Sequence, residues 1–283
     1  MPASLRLPTE GRSVRWFIGR LYMTSPPDLR ASRPLRYWEL DLLRGVAVAM
    51  MILYHALYDL DYFSGPDIVD VRSGIWPSFA LATASIFLLL VGVSLSISSA
   101  RARIMGGDFL RRSIRRGAII FSRAVAITFA TFLLLEEGYI LFGILHSIGA
   151  TIFLSIPFTG RPLLALLLGL AAISAGIFLR QFSFETPWLL WLGFVPPGFY
   201  SVDYFPLLPW SGVVLVGIFL GGRLYPHGKR GFQIPEISSR TPAREISFLG
   251  RNSLLIYLLH QPLLIISMEL LGVIDIAGRV SLP

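Results

Sequence analysis

The stretch ELDLLRGVAVAMMILYHALYDLD, Glu39–Asp61, decides the fold. Between Leu42 and Leu60 it is apolar enough to cross a bilayer, whose hydrocarbon core of about 30 Å takes roughly 20 helical residues. It nevertheless carries Arg44 and His55, and ionisable side chains inside hydrocarbon are costly enough to mark function. The eleven residues between them turn a helix by about 1100°, close to three full turns, and rise about 16 Å. Arg44 and His55 therefore share one face, about half a membrane apart. Asp41 stands three residues before Arg44 and within pairing reach of it. Asp59 stands four after His55, where a carboxylate orients an imidazole or holds its charged form. A face that reads Asp41, Arg44, Met51, His55, Asp59 is turned toward protein rather than lipid.

Working outward, apolar runs of similar length recur at 76–100, 117–136, 139–158, 162–180, 206–222 and 248–270. Together they predict an all-α polytopic transmembrane bundle of about seven spans. FETPWLLWLGF (184–194) is too short to cross and reads as interfacial or re-entrant. The chain is 54% hydrophobic with a net charge of +8, and its mean hydropathy is +0.66. With the N-terminus inside, the cytoplasmic segments 1–36, 101–116, 159–161 and 223–247 hold 7, 6, 1 and 5 of the 25 Lys and Arg. The opposite segments hold only Arg72, Arg180 and Arg279, with acidic clusters beside them. The excess charge is thus the positive-inside bias of a multi-pass protein, expected in the plasma membrane, and not a nucleic-acid footprint. The absence of cysteine excludes disulfides and thiolate metal sites. Three domains are expected: a basic cytoplasmic tail (1–36) without a signal peptide, a membrane domain (37–271) and a short C-terminal tail (272–283). Within the first tail, residues 14–23 suit the headgroup region or a disordered segment.

Two further spans carry a histidine at a depth similar to His55: His146 in GYILFGILHSIGATIFLS and His260 in RNSLLIYLLHQPLL. Three helices are expected to converge on one polar core, with each histidine a candidate for the essential one. No metal is expected, because no two histidines lie at helical ligand spacing. No G-x-S-x-G elbow, H-E-x-x-H motif or Walker loop is present. Arg123, inside the third apolar run, either snorkels to the inner surface or joins Arg44 in a cationic cavity. The link RARIMGGDFLRRSIRRG (101–117) adds Arg111, Arg112, Arg115 and Arg116 on the same side. A cationic inner side grading into a histidine-lined outer half suits a phosphate-bearing ligand that enters from the cytoplasm. The aromatic segment 187–210, with Asp203 and Trp210, reads as an interfacial belt or as the floor of a groove for an outer substrate.

RYWELDLLRGVAVAMMILYHALYDLDYF, FGILHSIGATIFLS, DYFPLLPWSGVVLVGIFLGG and LGRNSLLIYLLHQPLL resemble, in order, the motifs of the prokaryotic branch of the heparan-α-glucosaminide N-acetyltransferase catalytic-domain family. The resemblance covers about 36–270. It implies a transmembrane acyltransferase that uses acyl-coenzyme A inside to modify a sugar outside. The Arg44-to-His55 spacing is also similar to the first-helix motif of the acyltransferase-3 family, in which the histidine is catalytic. His260 matches a late-helix YLxH pattern of both groups, and Asn252 lies in the same motif as a positioning residue. One departure matters. The lysosomal member places its catalytic histidine in the loop after its first helix, whereas DYFSGPDIVDVRSGIWPS has none here, so the role passes to His55; the chain is also shorter than that member, so heparan sulfate is not the expected acceptor.

The expected chemistry is transfer of an acetyl or acyl group from acyl-coenzyme A to a sugar hydroxyl or amine. His55 acts as general base with Asp59 behind it, or as a covalent acyl carrier. Arg44, Arg123 and the 111–116 arginines hold the coenzyme A phosphates; His146, His260, Asp203, Trp210 and Asn252 position the substrates. Membrane lipid, acyl-coenzyme A and the outer glycan are the expected partners, and a homodimer is compatible with this reading. The rival is a transporter or flippase for an anionic lipid or glycan, whose proton relays also need buried His and Asp. The sequence shows no paired halves of the kind such folds carry.

Overall fold

The computed structural model describes residues 36–64, 68–135, 137–185 and 187–274. The expected basic tail, with its 14–23 stretch, lies outside them except for Arg36, and so does the chain beyond residue 274. Every regular element among the described residues is helical. The α-helices are α1 (Trp38–Ser64), α2 (Trp76–Met105), α3 (Phe109–Leu134), α4 (Ile144–Ser155), α5 (Pro162–Leu179), α6 (Leu207–Leu224), α7 (Thr241–Arg251) and α8 (Ser253–Leu270). Six of them, α1, α2, α3, α5, α6 and α8, are long and apolar enough to cross a membrane. The protein is a polytopic helical membrane bundle.

The seventh expected span, 139–158, is shorter. It consists of α4 and a 3-10 turn, Ile156–Phe158, about 24 Å in all. At its start Ile144 meets the loop before α6 through Asp203, and just past its end Thr159 donates to Ser99 near the end of α2. It therefore runs between the two ends of its long neighbours. Eight of its twelve helical residues are buried. A helix sheltered by protein need not match the thickness of hydrocarbon.

Two other expectations are corrected. The basic link 101–117 is helical except at its middle. Gly106 adopts a left-handed φ of 69°, which ends α2, and the Asp108 carboxylate accepts the Arg111 N–H as N-cap of α3. Gly, Gly and Asp in a row supply stop, turn and start within three residues, so the arginines sit on the first turns of a transmembrane helix. The last apolar run, 248–270, is broken at Asn252. It divides into the amphipathic α7 and the apolar α8, and the Asn252 side chain donates back to the Phe248 carbonyl.

The centre of the bundle is α2 against α6, with α5 outside α6 and α4 between α3 and α6. Leu88, Leu95, Ile120, Ala124, Ile152, Trp210 and Val214 form its apolar core. Helix α5 is apolar all round and buries only Ala165, Gly169 and Gly176, as suits a lipid-facing helix. Helix α1 packs on α2, α7 and α8. A methyl group on Gly45 would fall on the Ile246 carbonyl, and one on Gly250 on the Asp41 carbonyl. Reciprocal glycines thus let α1 and α7 touch backbone to backbone, a small-residue contact typical of membrane helices.

The polar linker after α6 is tied to α1. Arg230 makes a forked pair with Glu39, Nε at 2.8 Å and Nη2 at 2.6 Å, and the Tyr225 hydroxyl adds a third bond at 2.9 Å. Such charge-assisted, bidentate contacts are among the stronger hydrogen bonds. They hold the N-terminal end of the helix that carries Arg44 and His55.

Candidate active site

The structure brings His55 of α1 and His260 of α8 together. Their rings meet edge to face with centroids 4.7 Å apart. Each Nδ1 lies against a backbone carbonyl of its own helix: His55 on Met51 at 2.9 Å, His260 on Tyr257 at 2.7 Å. A carbonyl only accepts, so each Nδ1 carries the hydrogen and each Nε2 presents a lone pair. The Nε2 of His260 is buried without a hydrogen-bond partner. His260 is also the only buried residue of α8.

Asp59 does not orient His55. Its Oδ1 accepts a 2.6 Å hydrogen bond from Gln261 Nε2 on α8, while the Nδ1 of His55 is satisfied within its own helix. Gln261 was not singled out by sequence reasoning, although it adjoins His260 in LLHQPLL; its partner lies 202 residues away. The α1–α8 contact therefore has two polar rungs, His55–His260 and Asp59–Gln261.

At the other end of α1, Arg44 donates to Asp41 Oδ1 at 3.0 Å and to the Ser94 hydroxyl of α2. Arg116 of α3 is exposed, and the Arg44 charge acts on it unfavourably. Among the described residues no ion pair answers Arg116. Arg112 and Arg123 share its side of α3 by helical phase, whereas Arg115 and Arg111 point roughly 100° and 140° away from it; all four are exposed. Of the arginines expected to bind a donor, Arg116 is one that feels the charge of Arg44.

His146 has separate partners. Its Nδ1 accepts the Gly143 N–H at 3.2 Å, so its hydrogen is on Nε2, which faces the Thr128 hydroxyl at 3.4 Å. Phe142 stacks on the ring and Phe121 meets it edge-on. Both nitrogens cap or brace the start of α4, which gives His146 a structural task. Asp203 braces the same place. Its carboxylate accepts the Ile144 N–H at 3.2 Å and the Tyr257 hydroxyl at 3.2 Å, so the loop before α6 ties α4 to α8 one turn from His260. Burial pushes the Asp203 carboxyl up to about 6, with both hydrogen bonds pulling the other way.

Trp210 lies in the core against Phe205, because its place near the start of α6 faces the bundle and not the outer surface. Asn252 caps the junction of α7 and α8. Outside these, an open cleft of about 300 Å³ is lined by Arg180, Phe199, Tyr200, Ser201 and Tyr204 among others. The Tyr200 hydroxyl meets that of Tyr58 at 3.2 Å, and Tyr58 follows His55 by three residues. The cleft thus opens beside the helix face that bears the histidine pair.

The fold and this centre define a multi-pass membrane protein in which α1 and α8 enclose two imidazoles and a carboxylate–carboxamide pair. The chain belongs to the family described as heparan-alpha-glucosaminide N-acetyltransferase, catalytic, whose family model matches residues 36–262. Membership implies acetyltransferase activity at the general level of that family. The match begins just before α1 and ends just past Gln261, so it includes both rungs. No curated protein and no solved structure matches the chain.

Proposed function

We propose that the protein transfers an acetyl group from cytoplasmic acetyl-coenzyme A to a hydroxyl or amine of a sugar or glycan at the outer face of the plasma membrane. The observation that carries this reading is the His55–His260 pair, in which Nδ1 of each ring is fixed by a backbone carbonyl and Nε2 is left as a base. His55 Nε2 takes the proton of the acceptor as its oxygen or nitrogen attacks the thioester carbonyl. The tetrahedral intermediate collapses with release of the coenzyme A sulfur, which takes the proton from the His55 imidazolium. His260, edge-on to His55, holds the ring in place and its own Nε2 toward the acceptor. General base catalysis of this kind contributes about 10²–10⁴-fold, and alignment of the reactants adds to it.

The donor end is the Arg44–Arg116 pair. Arg44 is engaged by Asp41 and Ser94, so Arg116 is the cation left to meet a phosphate. Arg44 and His55 stand about 16 Å apart along α1, of the order of an extended pantetheine arm. A nucleotide at the inner end thereby sets its thioester beside the histidines. The cleft by Tyr58 and Tyr200 supports acceptor entry from the opposite end. The basic segments 101–116 and 223–247 support an N-terminus on the inside.

The test is acetyl-coenzyme A turnover by purified protein, followed by thiol release; the chain has no cysteine to add background. His55→Ala is expected to lose at least about 10²-fold in turnover while acetyl-coenzyme A still binds. Near-normal turnover in His55→Ala rejects the base assignment. Acetyl-coenzyme A neither cleaved nor transferred by the wild type returns the protein to the transporter class.

A further inference from the structure

The two rungs between α1 and α8 are rich in acceptors and poor in donors. Asp59 is 2% exposed, and its Oδ2 has no hydrogen-bond partner. The Oε1 of Gln261 and the Nε2 of His260 are likewise buried and unpartnered. Gln261 spends one N–H on Asp59 Oδ1, and each histidine spends its N–H on a backbone carbonyl. A buried polar atom left without a partner is destabilising by about 1–3 kcal/mol, and native proteins rarely keep several such atoms in one place without a reason. Here three lie within about one helical turn of each other, beside a catalytic base.

We infer that Asp59 and Gln261 form a second accepting subsite next to the histidine pair, which holds an O–H of the acceptor adjacent to the group that is acylated, so that this site takes polyols with neighbouring hydroxyls. The inference rests on the acetyl-transfer reading for the role of His55. The dimensions fit. His55 and Asp59 are one turn apart, about 6 Å along α1, and hydrogen bonds of about 2.8 Å at each end let two neighbouring hydroxyls bridge that gap. One hydroxyl gives its proton to His55 Nε2 and attacks the thioester. The other donates to Asp59 Oδ2 or Gln261 Oε1 and stays unacylated. A monohydroxylic acceptor leaves those oxygens unpaired, and a site built to bond a hydroxyl discriminates strongly against a ligand that lacks it. Gln261 is in this scheme a positioning residue, since it fixes the Asp59 carboxylate so that Oδ2 faces the ligand.

The test uses methyl hexopyranosides and their monodeoxy counterparts as probes. Binding to purified, detergent-solubilised full-length protein is measured by saturation-transfer NMR, and acetyl transfer is measured separately by thiol release and by mass of the sugar ester. The expected result is that the wild type binds at least one parent glycoside roughly tenfold or more tightly than the analogue lacking the neighbouring hydroxyl. In Gln261→Met, which keeps the volume, and in Asp59→Asn, that preference should collapse toward unity; Gln261→Glu, which keeps an acceptor oxygen, should retain part of it. Equal binding of parent and deoxy probes by the wild type overturns the subsite, as does a preference that survives both substitutions. The wild-type comparison holds even if a variant does not fold. Selective binding without any acetyl transfer leaves the subsite standing and sinks the acetyltransferase reading instead.

Discussion

Replacing Gly45 with alanine tests whether the α1–α7 contact sets the geometry of the histidine pair. The added methyl would fall on the Ile246 carbonyl, whereas ordinary van der Waals contact begins at 3.4 Å. Backbone cannot rotate away as a side chain does, so α7 must retreat by more than an ångström. Overpacking costs about 1–3 kcal/mol, and a backbone obstacle puts this site toward the upper end. At about 2–4 °C per kcal/mol, the melting temperature in detergent should fall by roughly 5–10 °C. The functional effect should be larger. Helix α7 passes through the single residue Asn252 into α8, so its retreat is transmitted toward His260, and a misplacement of about 1 Å costs on the order of 10²-fold in rate. Acetyl-coenzyme A turnover and thermal stability of Gly45→Ala are measured beside Val46→Ala, whose side chain is 38% exposed and should be neutral within about 0.5 kcal/mol. A Gly45→Ala protein with the wild-type melting temperature and turnover within about twofold would refute the reasoning.

Asp203→Asn should remove a pH dependence of stability. Because the folded carboxyl is raised from 3.8 to about 6, the native state binds more protons than the unfolded chain in that window. Stability therefore falls as pH rises from about 4 to 6 and levels off above it, by at most about 3 kcal/mol; melting curves of wild type and variant across this range check the sign. Arg116→Gln should raise the donor KM roughly tenfold or more, as expected for one lost charge-assisted phosphate contact, and leave kcat less affected; an unchanged KM for acetyl-coenzyme A removes Arg116 from the donor site. For topology, cysteines placed at the exposed positions Ser73 and Met105 should differ in intact cells, with an impermeant thiol reagent labelling the first and not the second. The reverse pattern inverts the assigned orientation.

The polar face of α1 was legible because helical period alone places Asp41, Arg44, His55 and Asp59 together; the Arg44–Asp41 pair is local, and it is present at 3.0 Å. Partners across the bundle were not legible. The period of α1 says that Asp59 faces protein, but only packing against α8 decides that a carboxamide and not an imidazole meets it. Trp210 was misplaced for the same reason. An aromatic residue near a span end suits the interface and the core equally well, and the contact with Phe205 settles it. The basic stretch 101–117 read as a link between spans because charge suggested water. Helices α2 and α3 carry it instead, except at its middle, since a helix need not end where the hydrocarbon does.

The contrast between the histidines follows from the same packing. Helix α8 has one buried position, and His260 occupies it. A leucine there would contribute about 1.5–3 kcal/mol by burial, whereas His260 leaves Nε2 without a partner. That choice weakens the helix contact, so stability does not account for it. His146 is equally buried, yet Gly143 and Thr128 meet both of its nitrogens, and stability accounts for it in full. Burial by itself therefore does not separate the two. The unpaired Nε2 does, and it supports the proposed site between α1 and α8, where a sequence read along its length has the least to say.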